Sequence, residues 1–487
     1  MQREYWDTRV SFILAAIGSA IGLGNIWRFP YIAYRYGGGA FIIPYFIAMI
    51  TAGIPLLILE FGLGHKTGHA APLAFESMRK NWRYLGWCAV FVGFGIVIYY
   101  AVIMSWAFNY FFYSFKLSWG ENTKDFFFNR FLGLTKGPFE FGGLRTLIVI
   151  GLVFTWVWIY LSIIKGVKSV GKVVYVTVVL PWIILLVFII RGITLPGALE
   201  GLRYYLTPNF AALKDPMVWL NAYSQIFFSF SIGFGVMIAY ASSLPPKSDI
   251  VNNAFIIGLA DTGTSFLGGI AVFSTLGYLA KMQGVPVENV IASGPGLAFV
   301  TYPTIINLLP FARPLFGCLF FLMLLTLGID SAFSLVEAFS MAGMEKWKLP
   351  RPVLNFLISL AAFIPGLIFT TRSGLFWLDI ADHFISNYGL VLVGLIEAIF
   401  VGYLLGPKVI REYVNELSEI KIGKWWDAMI RVVIPLVLIW SLGFSLYTEI
   451  KSPYEGYPKG ALALGVAYLG VVLLCGILMG IKGRREE

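Results

Sequence analysis

Apolar runs long enough to cross a bilayer recur along almost the whole chain. Twelve can be marked, at residues 11–36, 39–64, 86–115, 144–164, 173–190, 217–243, 252–280, 314–344, 352–370, 375–404, 428–449 and 460–481. A helix of about 20 apolar residues spans the hydrocarbon core of a membrane. Only 13% of the 487 residues are charged, against about 25% in soluble domains. The runs predict an all-α polytopic membrane protein with twelve transmembrane helices.

Basic residues indicate how this bundle is oriented. An even number of spans places both termini on one side, and the connections on that side are rich in Lys and Arg: Lys66, Arg79, Lys80, Arg83, Lys165, Lys168, Lys172, Lys346, Lys348, Arg351, Lys408, Arg411, Lys421 and Lys424, with Lys482, Arg484 and Arg485 in the tail. Because cytoplasmic loops carry an excess of Lys and Arg, we expect a multi-pass protein of the cell's inner (plasma) membrane with both termini cytoplasmic.

Topology also explains the net charge of +10, since the basic residues do not alternate with aromatic residues along one face. We therefore expect membrane lipid, and not nucleic acid, as a partner. The sequence leaves a homodimer open.

An internal repeat is visible in two spans. The first contains Ile21-Gly-Leu-Gly24 and the sixth contains Ile232-Gly-Phe-Gly235. The second unit begins five spans after the first, an odd number, so it enters the membrane from the opposite face. Such an arrangement predicts a 5+5 inverted repeat. Residues 1–192 would hold helices 1–5, residues 217–404 helices 6–10, and residues 405–487 two additional helices and a cytoplasmic tail.

The paired glycines predict that helices 1 and 6 are broken. Each glycine weakens a helix by about 1 kcal/mol relative to alanine, and a break frees backbone groups that lipid cannot satisfy. Close packing between helices is the alternative use of small residues in a membrane. Recurrence of the pair at equivalent places in both repeats favours a binding site.

Two carboxylates interrupt apolar runs, Asp261 in the seventh and Asp330 in the eighth. A charged side chain at that depth costs several kcal/mol, so each needs a cation, a proton or a basic partner. Asp330 and Ser331 offer adjacent oxygens, and unwound backbone offers carbonyls, which suits a hard cation such as sodium. A protonated or hydrogen-bonded structural carboxylate is the alternative.

Arg28 lies near the predicted outer end of the first span, and Asp382 near the outer start of the tenth. If these helices face each other, the two residues would form a polar gate above the site. The alternative is that Arg28 only extends its side chain to the membrane interface.

Several long motifs together carry a family resemblance over nearly the whole chain. These are Trp6, Gly18-Ser-Ala-Ile-Gly-Leu-Gly-Asn-Ile-Trp-Arg-Phe-Pro30, Gly37-Gly-Gly-Ala-Phe41, Tyr99-Tyr100, Ser105-Trp106, Gln225-Ile-Phe-Phe-Ser-Phe-Ser-Ile-Gly-Phe-Gly235 and Leu327-Gly-Ile-Asp-Ser331. The sequence resembles the neurotransmitter:sodium symporter family in its prokaryotic amino-acid branch. The broken-helix arrangement of one member of that family is a known example of an inverted-repeat transporter.

The resemblance implies two sodium sites and no organic cofactor. Sodium site 1 would use the Ala20 carbonyl with Asn25, Ser229 and Asp261, completed by a substrate carboxylate. Sodium site 2 would use the carbonyls of Gly18, Ile21 and Leu327 with the side chains of Asp330 and Ser331. The substrate-binding residues implied are Ala20, Gly22, Ile96, Tyr100, Phe228, Ser231, Phe234 and Leu335.

The resemblance also implies gates: Arg28 and Asp382 outside, and Arg3, Trp6 and Glu345 inside. Relatives that carry amines place an Asp at the position of Gly22, so this chain favours an amino acid that brings its own carboxylate. Tyr45, Gln225, Ser229 and Ser265 match chloride-site positions. Asp261 would add a fixed negative charge in the same volume, so we expect chloride independence.

These expectations together predict a sodium-coupled symporter that imports a neutral, hydrophobic amino acid by alternating access. No nucleophile with an oriented base, phosphate-binding loop or metal cluster is recognisable in the sequence, so an enzyme is not expected. An amino-acid sensor, or a channel of the same fold without coupled accumulation, is the alternative.

Overall fold

The computed structural model describes residues 5–292 and 294–481, which form helices and connecting loops without a β-strand. The principal helices are α1 (Arg9–Ala20), α2 (Leu23–Arg35), α3 (Gly39–Thr67), α4 (Ala71–Met78), α5 (Arg83–Ser114), α6 (Thr146–Ile163), α7 (Val167–Ile193), α8 (Ala198–Leu206), α9 (Pro216–Ser229), α10 (Val236–Ser242), α11 (Ile250–Gln283), α12 (Tyr302–Leu308), α13 (Arg313–Trp347), α14 (Arg351–Thr370), α15 (Gly374–Leu405), α16 (Lys408–Leu417), α17 (Lys424–Gly456) and α18 (Lys459–Ile481). Short helical turns occupy Thr123–Asp125, Phe126–Phe131, Phe210–Lys214, Val287–Asn289, Gly294–Gly296 and Leu297–Thr301.

The all-α membrane architecture is confirmed, whereas the count of twelve spans stays a prediction. Within the described residues, ten helices are long and apolar enough to cross a membrane: α3, α5, α6, α7, α11, α13, α14, α15, α17 and α18. An eleventh span is formed if α1 and α2, which meet at a bend of 50°, are taken together. The sixth predicted span is divided into α9 and α10, of 14 and 7 residues, and neither is long enough alone.

Both predicted breaks are present. The first non-helical segment contains one glycine of its predicted pair, and the second contains both. In the first broken span, α1 and α2, residues Ile21 and Gly22 are extended, while Gly24 lies in the first turn of α2. In the second broken span, α9 and α10, residues 230–235 are not helical, and Gly233 and Gly235 have φ of +80° and +72°. Glycine suits these left-handed positions because it has no Cβ.

Two long helices, α5 and α13, surround the breaks. In their most apolar stretches 89% and 83% of the residues are buried, against 22% in α17 and 17% in α18. The centre of the bundle is therefore formed around the broken spans, and the last two helices lie at its periphery. The proposed boundaries of the repeats, at residues 192, 217 and 404, stay a prediction.

The packing of α18 on α5 predicts a stability effect at Gly476. A Cβ at this position would lie 2.7 Å from Cα and 2.8 Å from N of Cys88, which are backbone atoms that cannot turn aside. We expect Gly476→Leu to destabilise the folded protein by about 1–3 kcal/mol, because overpacking forces the two helices apart. Thermal unfolding of the purified protein in detergent measures this effect.

Gly470→Leu is the matched control, since a Cβ at Gly470 would have no atom within 4 Å. Equal melting temperatures for the two variants would contradict the close approach of α18 to α5.

Candidate functional site

A small cavity of about 50 Å³ lies where the two breaks meet. Its lining residues come from both broken spans, α5 and α13: Ser19, Ala20, Gly22, Leu23, Gly24, Asn25, Ile96, Tyr100, Gln225, Phe228, Ser229, Ser231, Phe234, Ser331 and Leu335. Five of these residues, Leu23, Gly24, Ile96, Tyr100 and Phe228, also line a larger vestibule of about 650 Å³. A solute in the vestibule therefore meets the cavity beside Tyr100 and Phe228.

The eight residues predicted to bind substrate, from Ala20 to Leu335, all line this cavity. At Gly22 a Cβ would lie 2.9 Å from Ser331 Oγ and 3.4 Å from the Tyr100 hydroxyl. The Tyr100 hydroxyl is buried beside Ser331 and the Leu23 backbone, and among the described residues it has no partner within full hydrogen-bond geometry. The cavity wall at Gly22 thus presents the Tyr100 hydroxyl to a ligand, while the Gly22 N–H donates to Asn25 Oδ1 at 2.9 Å.

The start of α2 adds backbone donors to the same wall. Leu23 and Gly24 are the first two residues of α2 and line the cavity. The first N–H groups of a helix have no partner within it and carry a partial positive charge, so they favour an anion. This part of the cavity is chemically suited to a carboxylate.

Asp261 is the centre of a fully buried polar cluster at the cavity edge. Asn25 Nδ2 donates to Asp261 Oδ1 at 2.8 Å, and Ser229 Oγ donates to both carboxylate oxygens at 2.8 and 2.9 Å. Asn25 Nδ2 also lies 2.8 Å from Ser265 Oγ. The structure thus brings together three of the four residues predicted for sodium site 1, and Ala20, the fourth, lines the adjoining cavity.

Three of the four residues at the predicted chloride-site positions, Tyr45, Ser229 and Ser265, belong to the same cluster. Tyr45 donates its hydroxyl to Ser265 Oγ at 3.2 Å. The side chain of Gln225 is fully buried, and neither its amide nitrogen nor its amide oxygen has a hydrogen-bond partner among the described residues.

Asp330 lies at the other side of the first break. Its side chain is buried, Oδ1 accepts a hydrogen bond from Thr177 Oγ1 at 2.6 Å, and Oδ2 would lie 2.8 Å from a Cβ at Gly18. Ser331 Oγ donates to the Ser19 carbonyl at 3.3 Å. Sodium-site-2 residues Gly18, Asp330 and Ser331 are therefore assembled at the break. Of the other two, Ile21 forms part of the break itself, and Leu327 lies one turn before Asp330 on α13.

Sequence reasoning missed several polar side chains that support this arrangement. Thr177 holds Asp330, and its only sequence signal is a hydroxyl within an apolar run of Val residues. Ser19 and Ser334, neither of them predicted, share a hydrogen bond of 2.8 Å, and Ser231, already predicted to bind substrate, donates its Oγ to the Ser19 carbonyl at 2.9 Å. These hydroxyl groups join the two breaks to α13.

The predicted outer-gate residues share the vestibule but do not form an ion pair. Arg28 Nη2 lies 3.5 Å from Ser224 Oγ, and its guanidinium lies 5.2 Å from the centroid of the Phe228 ring. Asp382 Oδ1 accepts hydrogen bonds from Tyr99 at 2.7 Å and Ser386 at 3.0 Å. The ion pair expected from the sequence is thus absent between these two described residues, because each side chain has other partners across the open vestibule.

At the opposite end of the bundle, Trp6 is buried. Its backbone N–H donates to the Ser243 carbonyl at 3.0 Å and its Nε1 to the Tyr240 carbonyl at 2.8 Å. Glu345 accepts a hydrogen bond from the Ala70 N–H at 3.0 Å and lies 3.1 Å from His69 Nδ1. Arg3, the third predicted inner-gate residue, lies outside the described residues.

Breaking the contact between Thr177 and Asp330 should destabilise the site. Thr177→Val keeps the side-chain shape but leaves a buried carboxylate without its donor, which costs about 1–3 kcal/mol. Thr177→Ser retains the hydroxyl and serves as the control. We expect a lower melting temperature for the valine variant than for the serine variant; equal melting of both variants and the wild type would contradict this role.

Comparison with known proteins gives matches over nearly the full chain. A model of the sodium:neurotransmitter symporter family matches residues 3–125 and 118–483. A protein of Methanocaldococcus jannaschii named an uncharacterized sodium-dependent transporter is 43% identical over 481 residues, covering 97% of this chain and 98% of that protein. The mouse sodium- and chloride-dependent GABA transporter 2 is 37% identical over 444 residues (83% of this chain, 74% of that protein). The rat sodium- and chloride-dependent taurine transporter is 32% identical over 530 aligned positions (97% and 85%).

Proposed function

Because the chain belongs to the sodium:neurotransmitter symporter family and is a sodium-dependent transporter, we propose that it imports a neutral, hydrophobic amino acid together with sodium by alternating access. The observation that carries this proposal is the cavity wall formed by Gly22, the start of α2 and the Tyr100 hydroxyl. It offers hydrogen-bond donors to a ligand.

The substrate's charge follows from this wall. Acidic side chains are missing from the lining of the cavity in the described structure, so a simple amine would find no carboxylate to neutralise it there. A substrate with its own carboxylate can accept hydrogen bonds from Tyr100 and the α2 N–H groups, and can complete sodium site 1. The backbone carbonyls of Ala20, Phe228 and Ser231 would accept hydrogen bonds from its amino group.

The remaining wall favours an apolar side chain. The apolar part of the cavity is lined by Ile96, Phe228, Phe234 and Leu335. The rings of Phe228 and Phe234 meet edge to face, with their centroids 6.3 Å apart. Apolar walls with a few convergent polar groups are typical of sites that recognise one polar end of a ligand and bury the other.

The named substrates of the mammalian relatives support a zwitterion. GABA and taurine each carry an amino group and an acidic group, separated by a flexible apolar chain. An ω-amino acid is therefore the second candidate substrate class, and competition experiments distinguish it from an α-amino acid.

Two sodium ions would neutralise the two buried carboxylates. Asp261 with Asn25, Ser229 and Ala20, and Asp330 with Ser331 and the carbonyls of Gly18, Ile21 and Leu327, supply the oxygen ligands that sodium prefers. Neither Asp261 nor Asp330 forms an ion pair with a described basic residue, so an added cation removes a large electrostatic penalty in the membrane.

Chloride independence is part of the proposal. Asp261 contacts Ser229 directly and reaches Ser265 through Asn25, so its charge lies among the side chains that would hold a chloride ion. Two negative charges a few Å apart in a low dielectric repel each other strongly.

The two ends of the bundle support alternating access. The vestibule reaches the cavity past Tyr100 and Phe228, whereas buried Trp6 covers the opposite end. In this proposal the vestibule faces outwards, both termini lie in the cytoplasm, and the repeats 1–192 and 217–404 rearrange around the site.

Uptake into proteoliposomes tests the transport proposal. We expect a sodium gradient to drive accumulation of labelled leucine or tryptophan against its own gradient. Hydrophobic amino acids should compete with the label more strongly than the rest of the twenty amino acids do, and uptake should be full in chloride-free medium.

Asp330→Ala and Asp261→Asn should each lose normal sodium dependence. An absolute chloride requirement would overturn the assignment of Asp261, and binding without accumulation would indicate a sensor. Accumulation of GABA or taurine alone would select the ω-amino acid class.

A single substitution tests the carboxylate contact. Tyr100→Phe removes the hydroxyl and leaves the ring, so binding should lose a charge-assisted hydrogen bond worth roughly 1.5–3 kcal/mol, or about 10- to 150-fold in affinity. Equilibrium binding of the labelled amino acid in saturating sodium measures the change. Tyr99→Phe is the control, because the Tyr99 hydroxyl donates to Asp382 in the vestibule. A Tyr100→Phe affinity equal to wild type would place the carboxylate elsewhere.

A further inference from the structure

A polar cluster outside both proposed sodium sites joins α15 to the vestibule end of α17. It centres on His383, which follows the predicted gate residue Asp382 on α15 and is 8% exposed. His383 Nε2 lies within hydrogen-bond distance of Glu449 Oε1 on α17. The His383 ring also stacks on Tyr454, in the last turn of α17, with the ring centroids 3.7 Å apart. The imidazole is thus held both at an edge and on a face.

The other ring nitrogen of His383 faces Asn387, one helical turn further along α15. Asn387 Nδ2 lies 3.0 Å from His383 Nδ1. An amide nitrogen can only donate, so Nδ1 is the acceptor in this arrangement. The proton of a neutral ring then lies on Nε2, where the Glu449 carboxylate accepts it. Both nitrogens of the neutral ring are therefore satisfied.

The same two partners also suit the charged ring. An asparagine amide presents its oxygen in place of its nitrogen when it turns by half a rotation, because its two ends are nearly alike in shape. A proton on His383 Nδ1 would then donate to Asn387 Oδ1, while the Nε2–H keeps its contact with Glu449. Histidine is the side chain that most readily changes charge near neutral pH. Each protonation state of this ring thus has a complete set of partners.

The charged groups around the ring are acidic. The titratable groups that face it are Glu449 and Tyr454 from α17 and Tyr388 from α15, while Asp379 and Asp382 precede it on α15 and Glu455 follows Tyr454. On the α18 side, Ala461 packs against this part of α15. Lys451, two residues after Glu449, lies over the ring of Tyr447. Glu449 forms no ion pair with a Lys or Arg of the described residues, so no cation there competes with the proton.

The cluster also fastens the gate segment of α15 to the last two helices. Asp379, one turn before His383, accepts hydrogen bonds from the Tyr454 hydroxyl at 3.1 Å and from the Tyr457 hydroxyl at 2.9 Å. Tyr457 lies between α17 and α18 and lines the vestibule together with Asp382. A change of charge at His383 therefore acts on the segment that presents Asp382 to the vestibule.

We propose that His383 is a proton-binding site: Nδ1 binds one proton, Asn387 turns its amide oxygen to that proton, and the charged ring pairs with Glu449. The charge strengthens the contact between α15 and α17. It thereby stabilises the open vestibule of this structure, in which Asp382 and Arg28 are apart. Because a ligand that binds one conformation better shifts the population towards it, protons slow the closing of the outer gate.

Histidine-selective labelling tests the site directly, because the chain contains only three histidines, His65, His69 and His383. In the full-length protein labelled with nitrogen-15 in the imidazole rings, the chemical shift of each nitrogen reports whether it carries a proton. His383→Gln identifies the His383 signals by their loss. We expect Nε2 to be protonated throughout, and Nδ1 to gain its proton between about pH 8 and pH 5.

Two substitutions should move the midpoint of this titration in opposite directions. Glu449→Gln removes the negative charge beside the ring and should move the midpoint to lower pH by about one unit, or tenfold in proton affinity. Asn387→Asp places a carboxylate at Nδ1 and should move it to higher pH by about as much. Glu412→Gln is the control: Glu412 is an exposed carboxylate 3.4 Å from Lys408 Nζ, and its loss should leave the midpoint unchanged.

The wild-type titration can overturn the proposal without any variant, if none of the three rings changes its protonation between about pH 8 and pH 5. A His383 midpoint that neither Glu449→Gln nor Asn387→Asp moves would also overturn it.

Uptake into proteoliposomes tests the effect on the gate. The rate should fall as the external pH is lowered through the midpoint in the wild type, and this fall should be reduced in His383→Gln. An equal fall in both proteins would contradict control of the gate by His383. If the chain transports no amino acid at all, the proposed function fails, whereas the titration still decides whether the proton site exists.

Discussion

Interrupted backbone within the membrane is the constraint on which this structure depends. Lipid offers no hydrogen bonds, so each N–H and C=O freed at a break must be satisfied by protein, an ion or a ligand. The first break presents Gly22 and the start of α2 to the cavity, and the second presents Gly233 to Glu60. Asn25, Asp330 and Glu60 are buried polar side chains that contact or adjoin these segments.

Three of the buried carboxylates lie beside the breaks and differ in their partners, whereas Glu337 pairs with Arg351. Asp261 accepts hydrogen bonds from Asn25 and Ser229, Asp330 accepts one from Thr177, and Glu60 accepts one from the Gly233 N–H in the second break. The first two adjoin the first break, where the two sodium sites are proposed. Glu60, on α3, lies against the second break. Each of these carboxylates is thus in direct contact with a broken span or with a residue that lines the cavity between the spans.

The size of the vestibule explains why Arg28 and Asp382, which were predicted to pair, line the same space without forming an ion pair. Arg28 and Asp382 both line it, yet Arg28 stacks near Phe228 and Asp382 binds Tyr99 and Ser386. A cavity of about 650 Å³ between the helices leaves room for both side chains to find nearer partners. Closing this space would bring the charges together, which is the geometry expected of a gate between two conformations.

The sequence by itself determined that the chain lies in lipid, that it is helical, where both helices break and which aspartates lie near the breaks. Lipid favours a helix in every long apolar run, and a glycine pair weakens a helix locally. Family motifs also indicated the eight cavity residues. Only the tertiary structure decided the partners: Thr177 for Asp330, Glu60 for Gly233, and separate partners for Arg28 and Asp382. Each of these contacts joins residues far apart in the chain, so it depends on the distances between packed helices, which hydropathy and glycine spacing do not contain.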